Sequence, residues 1–275
     1  MQPAIETGTL TYQPILRWAG SKKTILPKLE RHLPEKYDRY IELFAGSACL
    51  FFKVSPKEAI IADSNKQLVD FYRTFSKKPS LVYELFEAIP RSPEAYYEAR
   101  TRFRTEKTPE QRAALFLYLN RNCFNGIYRT NLAGHFNVPF SNSRVAGYPS
   151  RSTFMAAANF LKSANIVCED FEKICRKNIR PDDFFYMDPP YYVPNKRVFK
   201  EYSGKPFGED DFLRLSKLLS FIDEKKAKFM LSYPDCILSR EVAKRWASSR
   251  IPVKRIIGGT QKSRSGKYEL IIKNY

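Results

Sequence analysis

Tyr40-Ile41-Glu42-Leu43-Phe44-Ala45-Gly46-Ser47-Ala48 is an apolar run that ends in a small-residue turn, and Cys49-Leu50-Phe51-Phe52 then restarts the apolar pattern as a helix start. A short buried strand, a glycine turn and a helix form the first unit of a doubly wound α/β fold, whose ligands bind at the carboxyl ends of the strands. A second strand is predicted at Ala59-Ile60-Ile61-Ala62, with Asp63 at its tip, 17 residues after Gly46. A lone glycine turn is a weak nucleotide signal, but an acid at the second strand tip can take ribose hydroxyls. No Gly-Lys-Ser/Thr ending follows the turn, so the expected ligand is an adenosine-bearing cofactor, and triphosphate hydrolysis is not expected.

Working outward, Phe184-Phe185-Tyr186-Met187 predicts another buried strand, which Asp188-Pro189-Pro190-Tyr191 must stop. Neither proline has an N–H to continue a ladder, and each disfavours helix at the residue before it. Asp188 is therefore held at a strand's carboxyl edge, beside a Pro189 carbonyl free of helix partners and the flat face of Tyr191. Such a notch suits a planar group with an exocyclic NH2. Taken alone, the four residues are equally an ordinary strand-to-loop turn. Three other stretches support the functional reading. In Arg17-Trp18-Ala19-Gly20-Ser21-Lys22-Lys23, the Ala-Gly-Ser turn allows close backbone approach, Trp18 could cover a ring and Lys22 could meet a carboxylate. Ile166-Val167-Cys168 predicts a strand ending near Asp170 and Phe171, which could bracket an adenine; a helix N-cap at Asp170 is the rival reading. Asn120 to Asn131 interleaves amides, arginines and aromatics around Asn125-Gly126, and His135 to Phe140 suits the return strand of a hairpin. Arg and Asn read guanine and adenine edges, and aromatics can wedge into an opened stack. A plain polar hairpin is the competing account.

Helical periodicity fills Leu68 to about Leu119, with a basic face carrying Arg100, Arg102, Arg104 and Arg112. After Ser150 the α/β pattern resumes: a helix from Phe154 to Leu161, a helix from Phe212 to Ile222, a strand from Phe229 to Tyr233, a helix from Arg240 to Ala247, and strands around Val253 to Ile257 and Tyr268 to Lys273. The loop from Tyr192 to Phe207 holds Lys196, Arg197, Lys200 and Lys205, suited to tracking phosphates. Another basic loop, Gly258 to Lys267, separates the last two strands.

The 275 residues and 43% hydrophobic content suffice for an α/β core plus a smaller unit. With 47 basic against 29 acidic residues the formal charge is +18, which implies a polyanionic partner, most often nucleic acid. Charge alone names no function. Five cysteines without metal-ligand spacing read as reduced thiols in a cytosolic protein, and only two histidines argue against a zinc site or a Ser-His-Asp machine, so no metal is expected. No run reaches membrane-spanning length.

Arg17 to Lys22, Glu42 to Gly46, Asp63-Ser64-Asn65, Asn125-Gly126, Phe136-Asn137-Val138-Pro139-Phe140 and Asp188 to Tyr191 stand in an order that resembles the Dam-type DNA adenine-N6 methyltransferases, over nearly the whole chain. The resemblance implies a Rossmann-like sheet with helices on both faces, an inserted mostly helical recognition domain with a β-hairpin, and S-adenosylmethionine as cofactor. It divides the chain into residues 1–67 and 151–275 for the methyltransferase domain and 68–150 for target recognition. It places catalysis at Asp188, Pro189 and Tyr191, and cofactor contacts at Trp18, Gly20, Lys22, Glu42, Phe44, Gly46, Asp63, Asp170, Phe171 and Asp188. DNA contacts are expected at Arg121, Asn122, Asn125, Tyr128, Arg129, Asn131, Asn137, Pro139, Lys196 and Arg197. Double-stranded DNA is the expected partner of a monomer encoded by a bacterium or phage, with a cognate restriction endonuclease, if there is one, acting separately. Two positions depart from the family pattern. Ala48 replaces a second glycine of the cofactor loop. Ala133 stands where GATC-reading members carry a basic residue, which leaves a GATC-like target open. Methylation of another amine, or DNA binding without catalysis, are the rival functions; only the latter leaves Trp18, Lys22, Asp63 and Asp188 without a reason to converge.

Overall fold

The computed structural model describes residues 14–141, 147–192, 207–253 and 267–275. Lys196, Arg197, Lys200, Lys205, most of the Gly258 to Lys267 loop and the tail through residue 13 lie outside them. Among the described residues no helix is long and apolar enough to cross a membrane.

Seven strands form one sheet: β1 (Tyr40–Glu42), β2 (Ala59–Asp63), β3 (Ala164–Cys168), β4 (Phe184–Met187), β5 (Lys228–Pro234), β6 (Ala247–Val253) and β7 (Lys267–Lys273). Their order is β3-β2-β1-β4-β5-β7-β6. The first five are parallel, and β7 runs antiparallel between β5 and β6. The central strands β1 and β4 are buried throughout, which explains why they read as continuous apolar runs and not as alternating ones. The chain moves outward from β1 through β2 to β3, then returns to β4 on the other side of β1, so the sheet's switch point lies between Glu42 and Tyr186, which are register partners.

Strand alternation divides the apolar side chains between two cores. Tyr40, Ile61, Phe184, Tyr186, Met230 and Ile271 face one core, and Ile41, Ile60, Phe185, Met187, Phe229 and Leu231 the other. Helices α8 (Phe171–Asn178) and α9 (Glu209–Glu224) cover the second face, with α10 (Ile237–Ala243) leading into β6. The first face carries α1 (Leu26–Glu30), α2 (Cys49–Val54) and α3 (Lys66–Lys77), and beyond them α4 (Pro79–Glu87), α5 (Pro93–Thr105), α6 (Pro109–Asn122) and α7 (Arg151–Phe160). Local chemistry starts these helices: proline opens α4, α5 and α6, while Asn65 and Ser92 accept first-turn N–H groups of α3 and α5. The first core runs without a break from the sheet into α3, α6 and α7, where Phe71 meets Phe116 at 5.4 Å between ring centroids and Phe75 meets Phe154 at 4.4 Å. The expected boundary between residues 67 and 68 falls inside α3.

Three expectations need correction. The helix expected over Arg240 to Ala247 runs Ile237–Ala243, and a strand, β6, already occupies Ala247–Val253, ahead of the strand expected at Val253 to Ile257, whose residues beyond 253 lie outside the described ones. β6 lacks apolar alternation because it is an edge strand, placed by its ladder to β7 more than by burial. In the expected hairpin, Asn120 to Asn122 belong to α6, Phe124–Gly126 form a 3-10 turn, and the arms meet only at two isolated bridges, Cys123 with Phe140 and Thr130 with Phe136. Buried Tyr128, Phe136 and Val138 anchor the arms to the core in place of a continuous ladder.

Candidate active site

Lys22 heads a 3-10 turn, Lys22–Ile25, that brings its ammonium over the carboxyl end of β4. It is 5% exposed, and its Nζ lies 2.8 Å from Asp188 Oδ1 and 3.2 Å from Glu269 Oε1. It also donates to the Tyr191 hydroxyl at 2.5 Å and sits 5.0 Å from that ring's centroid. The Tyr191 hydroxyl in turn donates to Glu269 Oε1 at 2.8 Å, and Ser232 donates to Glu269 Oε2 at 2.8 Å. One cation and two carboxylates, with two hydroxyls, thus form a closed buried network assembled from the N-terminal turn, β4, β5 and β7.

The charges shift one another. Burial alone would lower the Lys22 pKa, but the fields of Asp188, Tyr191 and Glu269 outweigh it and hold the ammonium well above its usual range. Burial raises Asp188 above the ordinary carboxylate range despite the neighbouring Lys22, with the like charge of Glu269 adding to the rise. Glu42, at the end of β1, accepts hydrogen bonds from Tyr40 Oη at 2.7 Å and Phe51 N at 3.2 Å. Burial nonetheless pushes its carboxyl up to about 8, so at neutral pH it is largely a neutral acid. The Tyr186 hydroxyl lies among Asp188, Glu42, Glu269 and Tyr191, is buried, and has no hydrogen-bond partner among the described residues.

Next to this network is a cradle of backbone. Asp63 Oδ2 accepts from Gly46 N at 3.1 Å, its Oδ1 accepts from Asn65 N at 2.9 Å, and Tyr72 Oη donates to Gly46 O at 2.8 Å. Gly46 has φ +47°, and a Cβ there would lie 2.8 Å from Trp18 Cδ1. The glycine is thus required both by its left-handed backbone and by the indole against it. Ala48, in place of a second glycine, adopts φ 50°, so the departure from the family pattern keeps the left-handed turn at a steric cost of about 1 kcal/mol. Gly20 is also left-handed, with open space where a side chain would be. On the second face, Phe44, Phe171 and Phe207 cluster with centroids 5.2 to 6.3 Å apart. Asp170 caps α8 and pairs with Arg214 at 2.7 Å, so its N-cap role is realised. The glycine cradle, the acid at the second strand tip, the orphaned Tyr186 hydroxyl and the excess of carboxylate over ammonium fit a nucleoside ligand with a cationic centre.

Residues 120–140 join this site directly through Arg17 and Trp18. Arg17 N donates to Asn120 Oδ1 at 2.8 Å, and Asn120 Nδ2 donates back to Arg17 O at 2.7 Å. Trp18 stacks on Tyr128 at 5.4 Å and 19°. Gly126 has φ +62°, and a Cβ there would lie 2.5 Å from Arg17 Cβ. Of the expected DNA contacts, Asn125, Asn131 and Pro139 are exposed, and Arg121, Arg129 and Asn137 are half-buried, with Arg129 Nε donating to Asn137 Oδ1 at 2.8 Å. Asn122 and Tyr128 are corrections: Asn122 is fully buried and donates to Tyr118 O and Tyr148 Oη, while Tyr128 is buried beneath Trp18 and donates to Gln67. Both support the turn from below. Glu42 is likewise enclosed, serving β1 and the start of α2. Phe124, 46% exposed, and Leu132, 90% exposed, are the large apolar side chains that this segment presents outward.

Sequence reasoning missed Glu269, Ser232, Tyr186, Asn120 and Arg214 as parts of the site. Glu269 carried a signal, being a lone carboxylate in the apolar strand Leu270-Ile271-Ile272. Asn120 stood in the amide-rich stretch read for DNA contacts, but nothing there announced its partner Arg17, 103 residues away, and nothing in the sequence tied Arg214 to Asp170, 44 residues away.

Residues 18–257 match the family model of the D12 class N6 adenine-specific DNA methyltransferase. The chain is 31% identical over 280 residues to the Type II methyltransferase M1.LlaDCHI of Lactococcus lactis subsp. cremoris, covering 98% of each protein. It is 31% identical over 287 residues to the Type II methyltransferase M.MjaIII of Methanocaldococcus jannaschii, covering 96% of this chain and 99% of that protein. A DNA adenine methylase of Escherichia coli K12 is 32% identical over 257 residues, covering 90% and 91%.

Proposed function

The chain belongs to the D12 class N6 adenine-specific DNA methyltransferases, and from that premise we propose that it transfers a methyl group from S-adenosylmethionine to adenine N6 in a short double-stranded DNA site, with the target base turned out of the helix. The observation that carries the reading is the division of Asp188: Lys22 occupies Oδ1 at 2.8 Å, which leaves Oδ2 for a substrate amine. Adenine's exocyclic amine is a poor nucleophile because its lone pair is delocalised into the ring. Asp188 Oδ2 and the Pro189 carbonyl accept its two N–H bonds and draw the lone pair out of conjugation. Tyr191, held by Lys22 and Glu269 through its hydroxyl, offers its ring to the extruded base. S-adenosylmethionine, when bound, supplies an electrophilic methyl on a sulfonium. Trp18, Gly46 and Asp63 would hold its amino-acid and ribose parts, and Phe44 and Phe171 its adenine. Once the nitrogen has accepted the methyl that this sulfonium would give up, Asp188 Oδ2 would take the nitrogen's surplus proton. Most of the rate gain is positioning and fixed charge.

Residues 68–150 act as the recognition unit, with Arg121, Asn125, Arg129, Asn131, Asn137 and Pro139 on its DNA side. The enzyme works as a monomer, and any cognate restriction endonuclease acts separately. Replacing Asp188 with Ala should abolish N6-methyladenine formation, read by nucleoside mass spectrometry, while DNA and cofactor binding persist in calorimetry. Near-normal turnover in that variant would refute the mechanism. Modification sequencing of the methylated DNA supplies the target site.

A further inference from the structure

Glu269 enters the site from β7, the strand farthest in sequence from Lys22, and is 3% exposed. Its Oε1 accepts from Lys22 and from Tyr191, the two groups that touch Asp188 or carry its neighbouring ring, and its Oε2 is fixed by Ser232. A carboxylate buried this deeply is expensive unless it is paired and hydrogen-bonded on both oxygens, as here. Beyond satisfying its own oxygens, Glu269 competes with Asp188 for a single ammonium while it accepts from the Tyr191 hydroxyl.

We propose that Glu269 is a positioning residue for methyl transfer: it holds Lys22 between two carboxylates, so that only Oδ1 of Asp188 is engaged, and it fixes the Tyr191 ring through its hydroxyl. This rests on the methyl-transfer reading of Asp188. Without Glu269, Lys22 would turn wholly to Asp188 and bridge both oxygens, blunting the acceptor that the target amine needs. Tyr191 would lose the acceptor for its own proton and with it a fixed orientation. The groups that face Asp188 are Lys22, Glu269, Tyr191, Tyr186, Glu42 and Cys49. Of these, Glu269 is the carboxylate whose charge adds most to the rise in Asp188, so its removal makes Asp188 more acidic.

The test is kcat against pH, at saturating DNA and S-adenosylmethionine, for the wild type, Glu269→Gln and Ser232→Ala. Glutamine keeps the volume and an acceptor oxygen but not the charge. Glu269→Gln should lower kcat about tenfold or more and move the acid limb of the profile to lower pH by roughly half a unit or more, because a like charge next to Asp188 has gone. Ser232→Ala keeps the charge and loosens its anchor, so it should lower kcat with the limb unmoved; this variant carries the test if Glu269→Gln does not fold. Wild-type kcat with an unmoved limb in Glu269→Gln would overturn the inference, as would a kcat loss that only tracks the folded fraction. Full activity in Ser232→Ala would overturn the orienting role. A wild type that makes no N6-methyladenine would instead sink the methyl-transfer reading.

Discussion

Lys22→Met places a side chain of similar length, but without charge, between Asp188 and Glu269, which are 18% and 3% exposed. In the wild type the raised Lys22 pKa means that its stabilisation is complete below the unfolded lysine value and is lost only as pH rises through the higher folded value. At about pH 8 the whole contribution is therefore present. Removing one partner of a buried pair leaves uncompensated charge and costs about 3 to 5 kcal/mol. With a urea slope of roughly 2 to 3 kcal/mol per molar, the midpoint should fall by about 1 to 2.5 M. In the variant, Asp188 can escape the penalty by taking up a proton, and a carboxyl with a raised folded value favours the folded state only at lower pH. The deficit should shrink when the same denaturation, followed by circular dichroism, is repeated near pH 5. A midpoint within about 0.3 M of wild type at pH 8, or a deficit of equal size at both pH values, would refute the account of a charge-held network.

The raised Glu42 carboxyl makes a related prediction with the opposite consequence for mutation. A folded value of about 8 against an ordinary 4.5 means that stability drains away as pH climbs between those values, so Glu42→Gln, which can still accept from Tyr40 and Phe51, should be more stable than wild type by a few kcal/mol near pH 9. Equal urea midpoints of the two proteins at that pH would show that the carboxyl is not destabilised by burial. Gly126→Ala drives a Cβ to within 2.5 Å of Arg17 and forces a left-handed alanine, costing at least about 1 to 2 kcal/mol. It should weaken DNA binding about tenfold in an anisotropy titration with little change in cofactor affinity, and unchanged DNA affinity would remove the close Arg17 contact from the recognition argument.

Much of the fold was legible because the central strands are buried on both faces. Phe184 to Met187 and Ala59 to Ala62 have no polar position to confuse the period, Pro189-Pro190 stops the first of these runs, and the left-handed turn after β1 requires Gly46. The edge of the sheet was misread for the converse reason. β6 contains Ser248, Ser249 and Arg250, and its place is decided by hydrogen bonds to β7 that no local pattern announces. In the site, Lys22 and Asp188 were found through their motifs, whereas Glu269 was passed over because one acid in an apolar strand resembles an isolated substitution until its three partners are in view. Asn122 and Tyr128 were misjudged because composition shows that a segment is rich in amides and aromatics but not which of them point inward.

The network that fixes Asp188 joins Lys22 to Glu269 across 247 positions of chain, and Tyr275 reaches back to the His32 carbonyl across 243. Such contacts are costly to close in loop entropy and cannot form until β7 and Tyr275 have emerged from the ribosome. A nascent polypeptide can complete β1 through β5, and with them the Gly46 turn and the aspartate notch, before β7 exists to hold the ammonium in place. Assembly of the Lys22, Asp188 and Glu269 network therefore waits until β7 has been synthesised, so a growing chain that has reached only β5 holds the aspartate notch without the groups that order it.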